Sequence, residues 1–133
     1  AASDVYKRQD YRHVHPSSQT EEEGARIMND ILKEEDPPTA IFCANDCTAL
    51  GVLRSLNKCR RKNYLPSVIA IDNIRKSAKT SPMLTTIDIP KQELAHFALL
   101  LLLDQQKKAH KECVRIELPC RLIERESCTY APC

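Results

Sequence analysis

The chain has 133 residues, of which 42% are hydrophobic and 29% charged, with a formal net charge of +2. That composition is of an ordinary globular protein and not a disordered tail, and the near balance of charge gives no support for a nucleic-acid-binding surface, whose signature is a clustered excess of Lys and Arg. The apolar run Phe97 to Leu103 is far shorter than the ~20 residues a membrane-spanning helix needs, so it is expected to be core and no membrane association is expected.

Residues Ala1 to Gln9 carry no usable periodicity, and Asp4 to Gln9 reads like a translated sequencing adapter. Residues 1–10 are therefore expected to be non-native or unstructured, and the native chain to extend further upstream. From Ser17 the signals sharpen. Ser18 or Thr20 can cap a helix whose first turn holds Glu21, Glu22 and Glu23, where the helix dipole favours negative charge. Ala25, Met28, Ile31 and Leu32 give it one apolar stripe, and Asp36-Pro37-Pro38 is expected to end it.

Thr39 to Ala44 is short, apolar and partly β-branched, and is predicted to be a buried strand. Asn45-Asp46 then caps a helix carrying Ala49, Leu50, Val52, Leu53 and Leu56 to about Cys59. Ser67 to Ile71 and Leu84 to Ile89 are further predicted strands, and Lys91 to Lys108 a long helix apolar on several faces. Val114 to Leu118 and Arg121 to Glu126 are predicted as two closing strands. Short continuous apolar strands alternating with helices predict an α/β fold around a mostly parallel sheet.

Seven cysteines (Cys43, Cys47, Cys59, Cys113, Cys120, Cys128 and Cys133) make an odd number without a C-x-x-C pair. Cys43 and Cys47 lie four apart, but no nearby His completes a ligand set. They read as small apolar fillers in a reducing compartment, so a cytoplasmic location is expected, with no metal and no cofactor.

Three stretches in register resemble the effector domain of the LacI/GalR transcription regulators, which shares its type I fold with periplasmic sugar-binding proteins. They are Pro38 to Asp46 followed by Ala49 and Gly51, Val68 to Ile74, and Pro82 to Ile87, with Arg125-Glu126-Ser127-Cys128 near the end. The resemblance covers about Ser18 to Cys128. It implies that residues 11–89 form the C-terminal lobe of a sensor, that 90–119 cross into the N-terminal lobe, and that 120–128 return as a strand, leaving 129–133 as a tail. It also implies a small-molecule effector, a sugar or sugar derivative, a homodimer, and DNA contact through an N-terminal module that is not in this sequence.

In an open α/β sheet ligands sit beyond the carboxyl ends of the strands. Asn45 and Asp72 lie just past two such ends, and an amide and a carboxylate there suit sugar hydroxyls. The resemblance implies the same two positions as effector contacts. The alternatives remain open: Asn45 as a helix cap and Asp72 as a turn-former. The resemblance implies Gln19 as a third effector contact, at a position where relatives often stack an aromatic ring, and Asn73 stands where a second Asp is common.

Gly51 inside a helix costs ~1 kcal/mol relative to Ala, which close approach of another backbone would explain. The resemblance implies that this helix, through Leu50, Gly51 and Arg54, together with Ser77 and Thr80, faces a partner subunit. Intrachain packing is the alternative. If the missing lobe covers the helix Lys91 to Lys108, then Phe97 and Leu99 to Leu103 are expected to be under-buried in this chain.

An enzyme is not expected, and no catalytic residue is assigned. His13, His15, His96 and His110, with Asp46, Asp72 and Asp88, fall in no nucleophile elbow or metalloprotease motif, and Gly24 and Gly51 alone cannot build a phosphate-cradling loop. The stretch Arg54, Lys58, Arg60, Arg61, Lys62 reads as cations at a helix C-terminus on a solvated face. A periplasmic sugar-binding protein of a transporter is the second binding reading, disfavoured by the unpaired cysteines.

Overall fold

The computed structural model describes residues 13–59, 64–107 and 112–129. Residues 1–10, Arg60 to Lys62, Lys108, His110 and 130–133, named above, lie outside the described residues. The elements are α1 (Glu21–Ile31), β1 (Ala40–Phe42), α2 (Asp46–Lys58), β2 (Ser67–Ile71), a short 3-10 turn (Ser77–Lys79), β3 (Thr85–Asp88), α3 (Lys91–Lys107) and β4 (Arg121–Ile123). The strands form one sheet in the order β1-β2-β3-β4, parallel throughout except for β4, which runs antiparallel to β3. The expected α/β class with a mostly parallel sheet is what is found.

Local chemistry sets the boundaries. Thr20 caps α1, its hydroxyl accepting from the Glu23 N–H at 3.2 Å, and the three glutamates occupy the first turn. The helix stops at Ile31, short of the Asp36-Pro37-Pro38 break, because tight turns take over: the Lys33 and Glu34 N–H groups donate to the Asp30 and Ile31 carbonyls at 3.0 and 3.1 Å. Val114 to Leu118, predicted as a strand, forms none: a strand needs a neighbour, and no described strand pairs with it.

The helices α1 and α2 cover one face of the sheet. Met28, Val68 and Leu84 are fully buried there with Ile27, Ile31, Val52, Leu53 and Ala70, each large side chain contributing about 1.5–3 kcal/mol by removal from water. The two glycines decide how close the helices come. A Cβ built on Gly51 would lie 1.9 Å from the Glu21 carbonyl oxygen, and one on Gly24 would lie 2.1 Å from that of Thr48. Backbone therefore meets backbone at both crossings, and the Ser55 hydroxyl, donating to the Ala25 carbonyl at 3.1 Å, fastens the same seam. The close approach inferred for Gly51 is met within the chain.

Helix α3 behaves differently. None of its residues is buried, and Leu99 and Leu102 are 55% and 62% exposed. The expected under-burial of Phe97 and of Leu99 to Leu103 is observed, with Phe97 and Leu101 the better covered of the set.

Burial pushes the Cys43 thiol up to about 12, with the nearby Asp46 carboxylate adding to the shift, whereas Cys47 is exposed. Maleimide labelling at pH 8 is expected to modify Cys47 and leave Cys43 intact until the chain is unfolded, as peptide mass spectrometry would show. Because the folded thiol ionises well above its ordinary value of 9.0, the unfolded chain loses this proton first as pH rises. The contribution of Cys43 to stability is thus complete below pH 9 and declines through the alkaline range above it.

Candidate functional site

The parallel strands β1 and β2 are hydrogen-bonded neighbours, with Ile41 opposite Val68 and Phe42 opposite Ile69, so the residues after their carboxyl ends share one edge of the sheet. Both candidate contacts lie on that edge. Asn45 is the N-cap of α2: its side-chain Oδ1 accepts from the Thr48 N–H and the Thr48 hydroxyl, both at 2.8 Å. Its amide donates to the Gln19 carbonyl at 3.1 Å. The capping alternative for Asn45 is therefore realised, and the same side chain ties the turn before α1 to the mouth of the sheet. Gln19 sits in that turn with φ 61°, its N–H bonded to the Ser17 hydroxyl at 3.0 Å and its side chain exposed.

Asp72 follows directly on β2 with φ 122°. A non-glycine residue in that region is uncommon and costs on the order of 1–3 kcal/mol unless its surroundings over-determine it. They do. Its N–H donates to the Ile87 carbonyl at 2.9 Å, and its own carbonyl accepts from the Lys91 ammonium. The carboxylate itself has no hydrogen bond or ion pair among the described residues.

The neighbouring polar groups, by contrast, are engaged. Asn73, also left-handed at φ 49°, donates through its N–H to the Thr86 hydroxyl at 3.2 Å and through its amide to Asp88 at 3.0 Å. Its amide oxygen accepts from the Arg125 guanidinium at 2.6 Å, and Arg125 also donates to the Leu84 carbonyl at 2.7 Å. Lys91 stands 3.9 Å from Asp88. Asp46, the first residue of α2, is fully buried, and both carboxylate oxygens are occupied. One accepts from the Thr86 hydroxyl at 2.5 Å, the other from the Ile74 N–H at 2.8 Å and from the Ser77 hydroxyl. With no cation paired to it among the described residues, this carboxylate rests on three donors and on the α2 N-terminus, whose dipole favours negative charge.

The remaining members of the predicted set are distributed as follows. Leu50, Gly51 and Ser77 are buried within the chain, Gly51 against Glu21 and Ser77 against Asp46. Arg54 and Thr80 reach the surface, Arg54 paired with Glu21 at 3.2 Å and the Thr80 hydroxyl donating to the Ser77 carbonyl at 3.1 Å. Intrachain packing thus accounts for Gly51 and Ser77 by itself. What the sequence did not reveal is that Asn73 and Arg125 are bonded to each other at the strand tips, and that Asp46 is buried among three donors. Their partners are 13 to 52 positions away along the chain, a separation no local pattern reveals.

A hollow of about 350 Å³ lined by Leu53, Leu56, Pro66, Pro82 and Glu126 lies at the opposite, amino-terminal ends of β2 and β3. It is at the wrong end of a parallel sheet for the ligand site of such folds. Among the described residues no group of three His, Cys, Asp or Glu side chains could hold a metal ion, and no described helix is long and apolar enough to cross a membrane.

Residues 2–128 match the model of the periplasmic binding protein-like domain family. The chain belongs to that family. Within it, the resemblance to the effector domain of LacI/GalR regulators stands. The HTH-type transcriptional repressor PurR of Photorhabdus laumondii is 38% identical over 112 residues, which is 84% of this chain and 33% of that protein. A LacI family transcriptional regulator from Enterococcus faecium, with bound ribose, superposes with a TM-score of 0.75 at 31% identity, covering 95% of this chain and 47% of the other. A second, from Enterococcus faecalis and also with bound ribose, gives a TM-score of 0.72 at 34% identity, covering 84% and 41%. The chain thus spans about a third of the length of the curated relatives it matches.

Proposed function

We propose that this chain is the C-terminal part of the effector-sensing domain of a LacI/GalR-type transcription regulator. It senses a small molecule, a sugar or sugar derivative, at the carboxyl ends of β1 and β2. The observation that carries this reading is the Asp72 carboxylate: it is the one acidic group at the strand tips left unbonded among the described residues, while Asn45, Asn73 and Asp88 around it are engaged. A carboxylate so placed accepts from two sugar hydroxyls at once. Asn45 then serves mainly by anchoring the Gln19 turn, with its second amide hydrogen still available, and Gln19 borders the crevice.

The ribose-bound relatives support the ligand class, and the PurR repressors support regulation of transcription. DNA contact is assigned to a module outside this sequence, and the cytoplasm is the matching compartment. A homodimer face is assigned to the surface around Arg54, Thr80 and the edge of Leu50, which border a shallow, largely apolar hollow. Effector closure of two lobes would shift the paired subunits, the coupling being the difference in effector affinity between open and closed states.

The test is calorimetry on the full-length gene product with ribose, lactose and cellobiose. Asp72→Asn is expected to weaken the binding that the wild-type protein displays by on the order of 10–100-fold, the loss of a charge-assisted hydrogen bond. Unchanged affinity in Asp72→Asn would refute the assignment.

A further inference from the structure

The stretch Arg125 to Cys128 does more than end the sheet. Each of its four side chains reaches the backbone of β2, β3 or the residues just before β3. Arg125 donates to the Leu84 carbonyl at 2.7 Å, Glu126 accepts from the Met83 N–H at 2.9 Å, and Ser127 donates to the Val68 carbonyl at 2.6 Å while accepting from the Thr85 N–H at 2.8 Å. Cys128 contacts the same Val68 carbonyl at 3.3 Å. Three of the four make contacts that end on these backbones. Arg125 makes one more, extending its second guanidinium nitrogen to the amide oxygen of Asn73 at 2.6 Å.

That extra contact falls on the turn that needs it. Asp72 and Asn73 are consecutive non-glycine residues at positive φ, a conformation that relaxes to the β or helical region unless something holds it. The holding set is Arg125 and Asp88 on the Asn73 amide, Thr86 on its N–H, and Lys91 on the Asp72 carbonyl. Arg125 is itself fixed from two sides, since its N–H donates to the Thr85 hydroxyl at 2.9 Å as its side chain grips Leu84. It is partly buried, so these charge-assisted bonds are less screened than those of a solvated arginine.

Resting on the effector reading of Asp72, we propose that Arg125 is a positioning residue for effector recognition. Through the Asn73 amide it locks the left-handed Asp72–Asn73 turn, and so presents the Asp72 carboxylate already oriented to the crevice. Preorganisation of this kind raises affinity by removing an ordering cost from the binding step. Arg125 touches no ligand in this scheme; its effect passes through the turn.

The test compares Arg125→Met and Asn73→Gly with the wild type in the full-length gene product. Asn73→Gly removes the same contact from the other end while accepting positive φ without strain, which guards against a variant that fails to fold. Two readings are taken: affinity for ribose, lactose and cellobiose by calorimetry, and amide hydrogen exchange without ligand. Both variants are expected to bind about tenfold more weakly, with faster exchange confined to Asp72, Asn73 and Ile74 and unchanged protection in β1 and α2. Wild-type affinity in both variants would overturn the proposal. So would a loss of affinity with unaltered exchange at Asp72 and Asn73, or exchange that quickens across the whole sheet, which marks a merely structural arginine. The exchange arm needs no ligand, so it decides the holding role even if none of the three sugars binds. Asp72→Asn reports separately on the effector reading itself.

Discussion

Asp46→Ala is expected to lower the stability of the domain by about 3–5 kcal/mol, a fall of on the order of 10 °C in melting temperature. The reason lies in what the substitution strands. The Thr86 hydroxyl, the Ser77 hydroxyl and the Ile74 N–H all point at a carboxylate from which water is excluded. Each buried donor left without an acceptor costs ~1–3 kcal/mol, and the three are close enough that their costs do not simply add. Asp46→Asn is expected to do nearly as badly: it keeps one acceptor and brings two N–H groups into a place already furnished with donors. Thermal melting followed by circular dichroism measures this, and a fall of less than about 3 °C would contradict the role given to Asp46.

The consequence for the site is direct. Asp46 opens α2 beside the Asn45 cap, Ile74 and Ser77 belong to the β2–β3 connection that contains Asp72, and Thr86 is in the strand beyond. One buried carboxylate therefore ties together the three segments that frame the strand tips. Loss of Asp46 is expected to blunt effector binding as well, without Asp46 touching the effector.

Gly51→Ala has two opposed effects, and magnitude decides between them. Helix propensity alone favours Ala by ~1 kcal/mol at an interior helical position. Against that, the new methyl carbon would sit 1.9 Å from the Glu21 carbonyl oxygen and 2.7 Å from the Ala25 nitrogen, both of them backbone atoms of α1. Neither can swing aside as a side chain tip would, so the helices must part and the core that Met28 and Val52 share must loosen. Overpacking of this kind costs ~1–3 kcal/mol or more. A net destabilisation of about 1–3 kcal/mol is expected, independent of protein concentration in urea unfolding. A stabilised variant would show that α1 and α2 do not meet as described. A variant of normal stability that dissociates more readily would return Gly51 to a subunit interface.

Much of the fold was legible because it is written locally. The strand Ser67 to Ile71 coincides with its predicted span, and the α2 cap at Asn45 and the Thr20 cap follow from side chains that bond three residues onward. The helical glycine was a sound clue to close backbone approach, but only the tertiary structure names Glu21 as what it approaches. Val114 to Leu118 misled for a related reason: its alternating residues suit a strand, yet pairing depends on a partner segment, which the described residues do not supply. The exposed leucines of α3 were foreseeable, since a helix apolar on several faces requires cover on several faces.

The site was half legible. Asp72 stood out as a carboxylate just past a strand end, and it does follow directly on β2. Its being held at φ 122° was not readable, because no glycine marks the turn and the residues that fix it, Lys91 and Arg125, come from α3 and the segment after β4. Asp46 was equally opaque: next to an N-cap asparagine, a first-turn acid reads as ordinary dipole chemistry, and nothing local says that Ser77 and Thr86 converge on it.

The most direct measurement is chemical-shift mapping of the full-length gene product during titration with ribose, lactose and cellobiose. Whichever sugar binds is expected to perturb the amides of Gln19, Asn45 and Asp72 to Ile74 most strongly, with α1 and the core of β2 little changed. Perturbation centred on Asn57, Leu65 and Ser81, around the hollow at the other end of the sheet, would contradict it.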